Sequence, residues 1–224
     1  IESSKLNEYA IKASTKENQS KQLEDPFEEE YTKGNIIKPL YELSNLAKLL
    51  DMNTWHYRAC KAKARDTAGS YKLTPLIDNP SNKQKELLKN VIDDIDPEGN
   101  KSISEILEKF QLDYESTGNN ALEIIGEGEN LKLKHIPSHT VRRTKDRQVY
   151  VQKRGTDKRY FKRFGATFDL NYKTGERYDE GTLSDQQDAN EILHLMNYSS
   201  RSDYYGVPDN IPALMSILGD RESQ

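Results

Sequence analysis

The stretch Asn197-Tyr198-Ser199-Ser200-Arg201-Ser202-Asp203-Tyr204-Tyr205-Gly206-Val207-Pro208 joins the apolar run Glu191 to Met196 to the segment Asp209 to Leu218. An aromatic pair leads into a Gly-Val-Pro turn. Ile211, Ala213, Leu214, Ile217 and Leu218 then make an apolar segment that stops at Gly219. Tyr204 and Tyr205 are expected to cover the edge of a core with wet hydroxyls. Gly206, expected at positive φ, would let the chain turn, and Pro208 would stiffen φ ahead of a helix. The local reading is a strand, an anchored loop and the start of a helix.

Upstream, the hydrophobic period changes halfway along the chain. In the first half, Leu40, Leu43, Leu46, Ala47 and Leu50 recur at three and four, predicting a helix with one buried stripe. Asn53 can cap a second helix running to about Thr67, with Gly69 just past its end. Ser81 can cap a third, with Leu87, Leu88, Val91, Ile92 and Ile95 on its inner face. Ser102 with Glu105 makes a capping box ahead of Ile103, Ile106, Leu107 and Phe110. In the second half, Ala121 to Ile125 and Leu131 to Ile136 flank a glycine-bearing turn, which predicts a hairpin. Val149 to Lys153 and Arg159 to Phe164 make a second pair around Gly155, and Glu191 to Met196 a further strand. Residues 166–189 show no period and read as a long surface loop. Helices first and antiparallel strands later predict an α+β fold.

Composition narrows the class. Of 224 residues, 34% are hydrophobic and 31% charged, so much of the chain is surface, arm or loop. The net charge of −4 argues against a generally basic nucleic-acid binder, but the charge is uneven. Residues 1–30 carry eight acids and four lysines. Residues 1–33 accordingly read as a polar arm ordered by a neighbour, and residues 34–224 as the folded unit. Cys60 is the only cysteine, which precludes an intrachain disulfide. No run approaches the ~18 to 20 apolar residues that cross a bilayer, so no membrane partner is expected.

Catalytic signals are weak, and no enzyme activity, cofactor or metal is expected. His135 and His139 are four apart, but Pro137 between them removes the helical geometry a metal pair needs. Cys60 lies among Ala59, Ala62 and Ala64 and reads as a small buried residue; no pattern pairs it with His56. The acids Asp93, Asp94 and Asp96 read as solvated, and no phosphate-binding loop is present.

The segment Arg142 to Arg163 is the candidate for ligand chemistry, with Arg142, Arg143, Lys145, Arg147, Lys153, Arg154, Lys158, Arg159, Lys162 and Arg163 against only Asp146 and Asp157. Alternating strands would display Arg143, Lys145, Arg147, Lys153, Lys158 and Arg163 on one face, interleaved with Tyr150, Tyr160 and Phe161. That composition suits phosphate contact. The same charges would equally meet acidic groups of the arm or of a neighbouring subunit.

Five blocks taken in order resemble tailed-bacteriophage portal proteins of the PBSX-like family. They are Pro39 to Asn53 with the helix to Gly69; Asp113-Tyr114-Glu115-Ser116-Thr117-Gly118-Asn119 with Leu122 to Ile125; His135 to Arg142; Arg159 to Gly165; and the Tyr204-Tyr205-Gly206-Val207-Pro208 run. Asn120 departs from the small residue expected there. The resemblance covers the N-terminal, wing part of such a subunit, with Tyr204, Tyr205, Gly206 and Pro208 at the entry to the stem. It implies a dodecameric ring at a capsid vertex, assembled in bacterial cytoplasm. It also implies a conduit for double-stranded DNA that meets terminase, capsid or scaffold protein and head-tail connector. The alternatives are a nucleic-acid-binding adaptor acting through residues 142–163 and an enzyme completed by sequence beyond Gln224.

Overall fold

The computed structural model describes residues 25–69 and 79–213. Residues 214–224, and with them most of the expected stem-entry helix, lie outside the described residues. Five helices precede a six-stranded sheet: α1 Glu28–Thr32, α2 Leu43–Met52, α3 Thr54–Ala68, α4 Asn82–Asp93 and α5 Ile103–Thr117. Asn53 ends α2 and caps α3, its side chain accepting the His56 amide at 2.9 Å. The expected capping box of Ser102 with Glu105 forms, and Ser81, expected as a simple cap, makes a second box with Gln84.

The strands are β1 Asn119–Ile125, β2 Lys132–Ile136, β3 Val141–Arg143, β4 Val149–Arg154, β5 Asp157–Arg163, β6 Phe168–Leu170, β7 Arg177–Asp179 and β8 Glu191–Met196. The main sheet runs β2-β1-β8-β5-β4-β3. All its pairs are antiparallel except β5 with β8, which meet in parallel only at Lys162 and Arg163 opposite Glu191 and Ile192. The fold is α+β, as the change of period predicts.

Side chains alternate between two cores. Ala121, Ile136, Val141, Tyr150, Phe161 and Ile192 pack on one face. The next residues along β1 and β8, Leu122 and Leu193, turn to the other face against Ile95, Ile106 and Phe110. Leu43, Leu46 and Leu49 of α2 close over Tyr205.

Four expectations need correction. Residues 25–33, read as arm, fold back on the sheet, where Phe27 is fully buried beside Ile36 and Val151. Leu87 and Leu88 are exposed on α4, because that helix reaches the core only near its C-terminal end, through Val91, with Ile95 just past it. The stretch 166–189 is no bare loop. β6 and β7 pair within it, and Phe168, Leu170 and Ala189 pack against Val149. Gly206 is not among the positive-φ glycines; its need for a hydrogen side chain comes from contact, not φ.

Candidate functional site

Two blocks whose residues Asn119 and Gly206 are 87 positions apart in sequence meet at the end of α5. Gly118 closes that helix at φ 71°, and Asn119 begins β1 fully buried. The Asn119 side chain then does what a strand neighbour would do. Its Oδ1 accepts the Gly206 amide at 2.8 Å, and its Nδ2 donates to the carbonyls of Gly206 at 3.1 Å and Thr117 at 2.8 Å. The Asn197 amide donates to the Gly118 carbonyl at 2.8 Å, and its side chain reaches the Val207 carbonyl at 2.8 Å. These bonds satisfy backbone groups that would otherwise be buried unpaired. A Cβ on Gly118 would sit 2.5 Å from the Val207 carbonyl carbon, and one on Gly206 would sit 2.5 Å from the Asn197 nitrogen. Asn120, the departure from the resembling pattern, is buried with its Oδ1 accepting the Leu195 amide at 3.1 Å.

The tyrosine pair divides its work. Tyr205 is buried, and its hydroxyl is not wet: it donates to the Ile37 carbonyl at 2.9 Å and accepts the Arg143 amide at 2.7 Å. Burial raises that phenol to about 12. Tyr204 lies nearer solvent under the Arg147 guanidinium, 4.6 Å from its ring centre, and donates to the Lys145 carbonyl at 3.1 Å. Pro208 is buried beside this junction.

The basic segment does not present one cationic face. Arg142 is fully buried, stacked 4.9 Å over Phe27. It donates to Asp25 at 2.9 Å, to the Tyr31 hydroxyl at 2.6 Å and to the carbonyls of His139 and Val141. Lys158 pairs with Glu30 at 2.9 Å, Arg159 with Glu123 at 2.5 Å, Lys162 with Asp188 at 2.5 Å and Arg147 with Asp203 at 3.2 Å. Lys145 and Arg147 sit in the turn between β3 and β4, so they leave the strand alternation. Arg143, Lys145, Lys153, Arg154 and Arg163 make no ion pair with the described residues.

Arg154, Lys158, Arg159, Lys134 and Lys173 do converge on a cleft of about 590 Å³ beside His135. Three of these five cations are already neutralised, Lys134 by Glu98 at 2.8 Å. His135 Nε2 donates to Asp113 at 3.0 Å, and the same carboxylate oxygen accepts the Ser138 amide at 2.7 Å. No group of three or more metal-ligating side chains occurs among the described residues.

Sequence reasoning missed several partners. His56 and Cys60 are four apart on α3, and the thiol lies 3.7 Å from the imidazole. Helical spacing carried that signal. Burial pushes the Cys60 thiol up to about 11, so it is no activated nucleophile. Nothing in the sequence marks Asp25, Glu123 or Asp188 as the partners of specific arginines and lysines.

No protein-family profile matches the chain. It is 25% identical over 251 residues to the protein YqbA of Bacillus subtilis, an alignment spanning 96% of this chain and 48% of that protein. It is 33% identical over 96 residues to the phage-like element PBSX protein XkdE of the same organism, spanning 43% of this chain and 17% of XkdE. The chain thus spans about half the length of the first relative. Among solved structures, it is similar to a chain in the virion of a native gene transfer agent particle, with a TM-score of 0.59 and 17% identity over 85% of this chain and 45% of that one. Chains in the neck of the empty particle computed with C6 symmetry, and of the native particle computed with C12 symmetry, give TM-scores of 0.60 and 0.56 at 16% identity. They are covered over 46% and 44% of their lengths. The α+β fold is shared with these virion and neck chains.

Proposed function

We propose that this chain is the wing-bearing, N-terminal part of a phage portal subunit. In this reading it is a structural component of a ring at the capsid vertex through which double-stranded DNA is packaged and ejected. The observation that carries the reading is the match of its fold, over 85% of its length, to under half of a chain from a particle neck. The relative XkdE of a phage-like element and the order of five sequence blocks point the same way.

The junction of Gly118, Asn119 and Gly206 supplies the mechanical part of the role. Where the chain leaves the sheet after β8, backbone contacts and the Tyr205 hydroxyl lock its exit to the end of α5 and to β3. A following stem helix would then start from a rigid platform. The wing adds no chemistry of its own; the pairing of Lys158, Arg159 and Lys162 with acids of the same chain suits a packed domain better than a phosphate groove. Terminase, capsid or scaffold protein and the head-tail connector are the partners this role requires.

The test is the mass and shape of the protein made from the complete reading frame. A closed ring of about twelve copies, the closed symmetry expected when each interface joins two different surfaces, supports the reading. A monomer or dimer that binds duplex DNA through residues 142–163 replaces it with the adaptor alternative.

A further inference from the structure

Two of the three arginines of residues 142–163 left without a carboxylate, Arg143 and Arg163, lie together, whereas Arg154 lines the cleft beside His135. Arg143 and Arg163 line a pocket of about 280 Å³ with Tyr150, Phe164, His194 and Met196. Arg143 Nε is buried and has no hydrogen-bond partner. Its terminal nitrogens reach only the carbonyls of Asp203 and Arg147, each at 3.4 Å. Arg163 is exposed and forms no ion pair with the described residues. The Tyr150 hydroxyl and the His194 imidazole make ring contacts but no hydrogen bond among the described residues. A buried guanidinium N–H without an acceptor is costly, and a carboxylate is the acceptor that best offsets it. Phe164, 54% exposed, and Met196, 36% exposed, add apolar surface to this otherwise polar lining.

We infer that this pocket receives a carboxylate carried on an apolar surface, and that the occupant is the Asp51, Met52 and Trp55 corner of a second copy of the chain. The inference rests on the ring reading above. Asn53 breaks the helix between α2 and α3, so the corner projects: Trp55 is 66% exposed, Met52 38%, and Asp51 makes no ion pair with the described residues. Corner and pocket share no residue. One copy's corner in the next copy's pocket is therefore a heterologous contact, the kind that propagates and closes a ring. Tryptophan and arginine are the usual anchors of such contacts. Burial, with Arg143 nearby, holds His194 neutral, down to about 3, which keeps a further positive charge out of the pocket.

The complete protein, with any tryptophan outside these 224 residues replaced by Phe so that Trp55 alone emits, is tested by sedimentation and by tryptophan fluorescence. Assembly of this parent protein is expected to shift Trp55 emission to shorter wavelength. Arg163→Glu is expected to raise the concentration for half-assembly about tenfold or more with unchanged circular dichroism, and adding Asp51→Arg to restore assembly. An unsubstituted protein that forms no closed assembly overturns the ring reading itself. A normal ring with unmoved Trp55 emission, or one indifferent to Arg163→Glu, overturns the pocket assignment alone. So does rescue by Glu86→Arg, beside the exposed Leu87 and Leu88, in place of Asp51→Arg.

Discussion

Gly118 and Gly206 touch backbone to backbone, so closely that a methyl group on Gly206 would overlap the Gly118 carbonyl oxygen. The contact welds the exit of the sheet to the C-terminus of α5, and it exists only because neither residue has a side chain.

Replacing Gly206 with Ala is expected to destabilise the protein by about 1–3 kcal/mol, the usual cost of forcing extra volume into a packed site. Gly118→Ala adds left-handed backbone strain at φ 71° to a clash with the Val207 and Pro208 backbone and is expected to cost at least as much. Urea unfolding midpoints decide it; wild-type midpoints in both variants would refute the weld.

Asn119→Asp tests the role of the amide. The carboxylate keeps an acceptor for the Gly206 amide but loses the donor to the carbonyls of Gly206 and Thr117. A loss of about 1–3 kcal/mol is expected, the cost of leaving buried acceptors unpaired. Asn119→Asp as stable as the parent would show that these bonds are dispensable.

The anchoring of α1 is tested at the buried ion pair. Asp25→Ala leaves the Arg142 guanidinium, fully buried, without its counter-charge, and is expected to cost about 3–5 kcal/mol. The double variant Asp25→Ala with Arg142→Met removes both charges and is expected to recover much of that loss. No recovery in thermal unfolding would mean that packing, not charge, holds α1.

Acid sensitivity should begin with histidine. Burial lowers His56, His139 and His194, the last to about 3. Each therefore contributes stability that is complete above the unfolded value near 6.5 and is lost as pH falls below it. The slope is at most about 1.4 kcal/mol per pH unit for each proton. Glu30, held low chiefly by its hydrogen bond to Lys158, adds to the loss only below the ordinary carboxylate range. Stability is expected to fall between pH 6.5 and 5, and His194→Gln to flatten that limb. An unchanged pH profile in His194→Gln would remove His194 from the account.

Periodicity and caps carried most of the architecture. Leu43 and Leu46 mark the buried stripe of α2, though Leu49 completes it in place of the expected Leu50 and Leu40 lies exposed ahead of the helix; Asn53 and Ser102 mark helix starts, and the alternation through Ala121 and Leu122 marks a strand between two cores. These signals are local, because a helix or strand repeats its environment every few residues. The small hairpin of β6 and β7 leaves no such signal, since three-residue strands are too short to show a period. Its turn is held by Asn171, whose Oδ1 accepts the Lys173 amide at 2.9 Å and the Thr174 amide at 3.1 Å.

The sequence alone determined the α+β class, the helix caps and the special character of the Tyr-Tyr-Gly-Val-Pro run. Only the tertiary structure decided why that run is special, and which charges in residues 142–163 are free. Gly206 is set by a neighbour 88 positions earlier rather than by its own φ. Arg142 is spent on Asp25 and Tyr31, while Arg143 and Arg163 keep unmatched donors. Charge pairing and close backbone contact depend on distances between segments remote in sequence. Those distances are fixed by packing and leave no periodic trace along the chain.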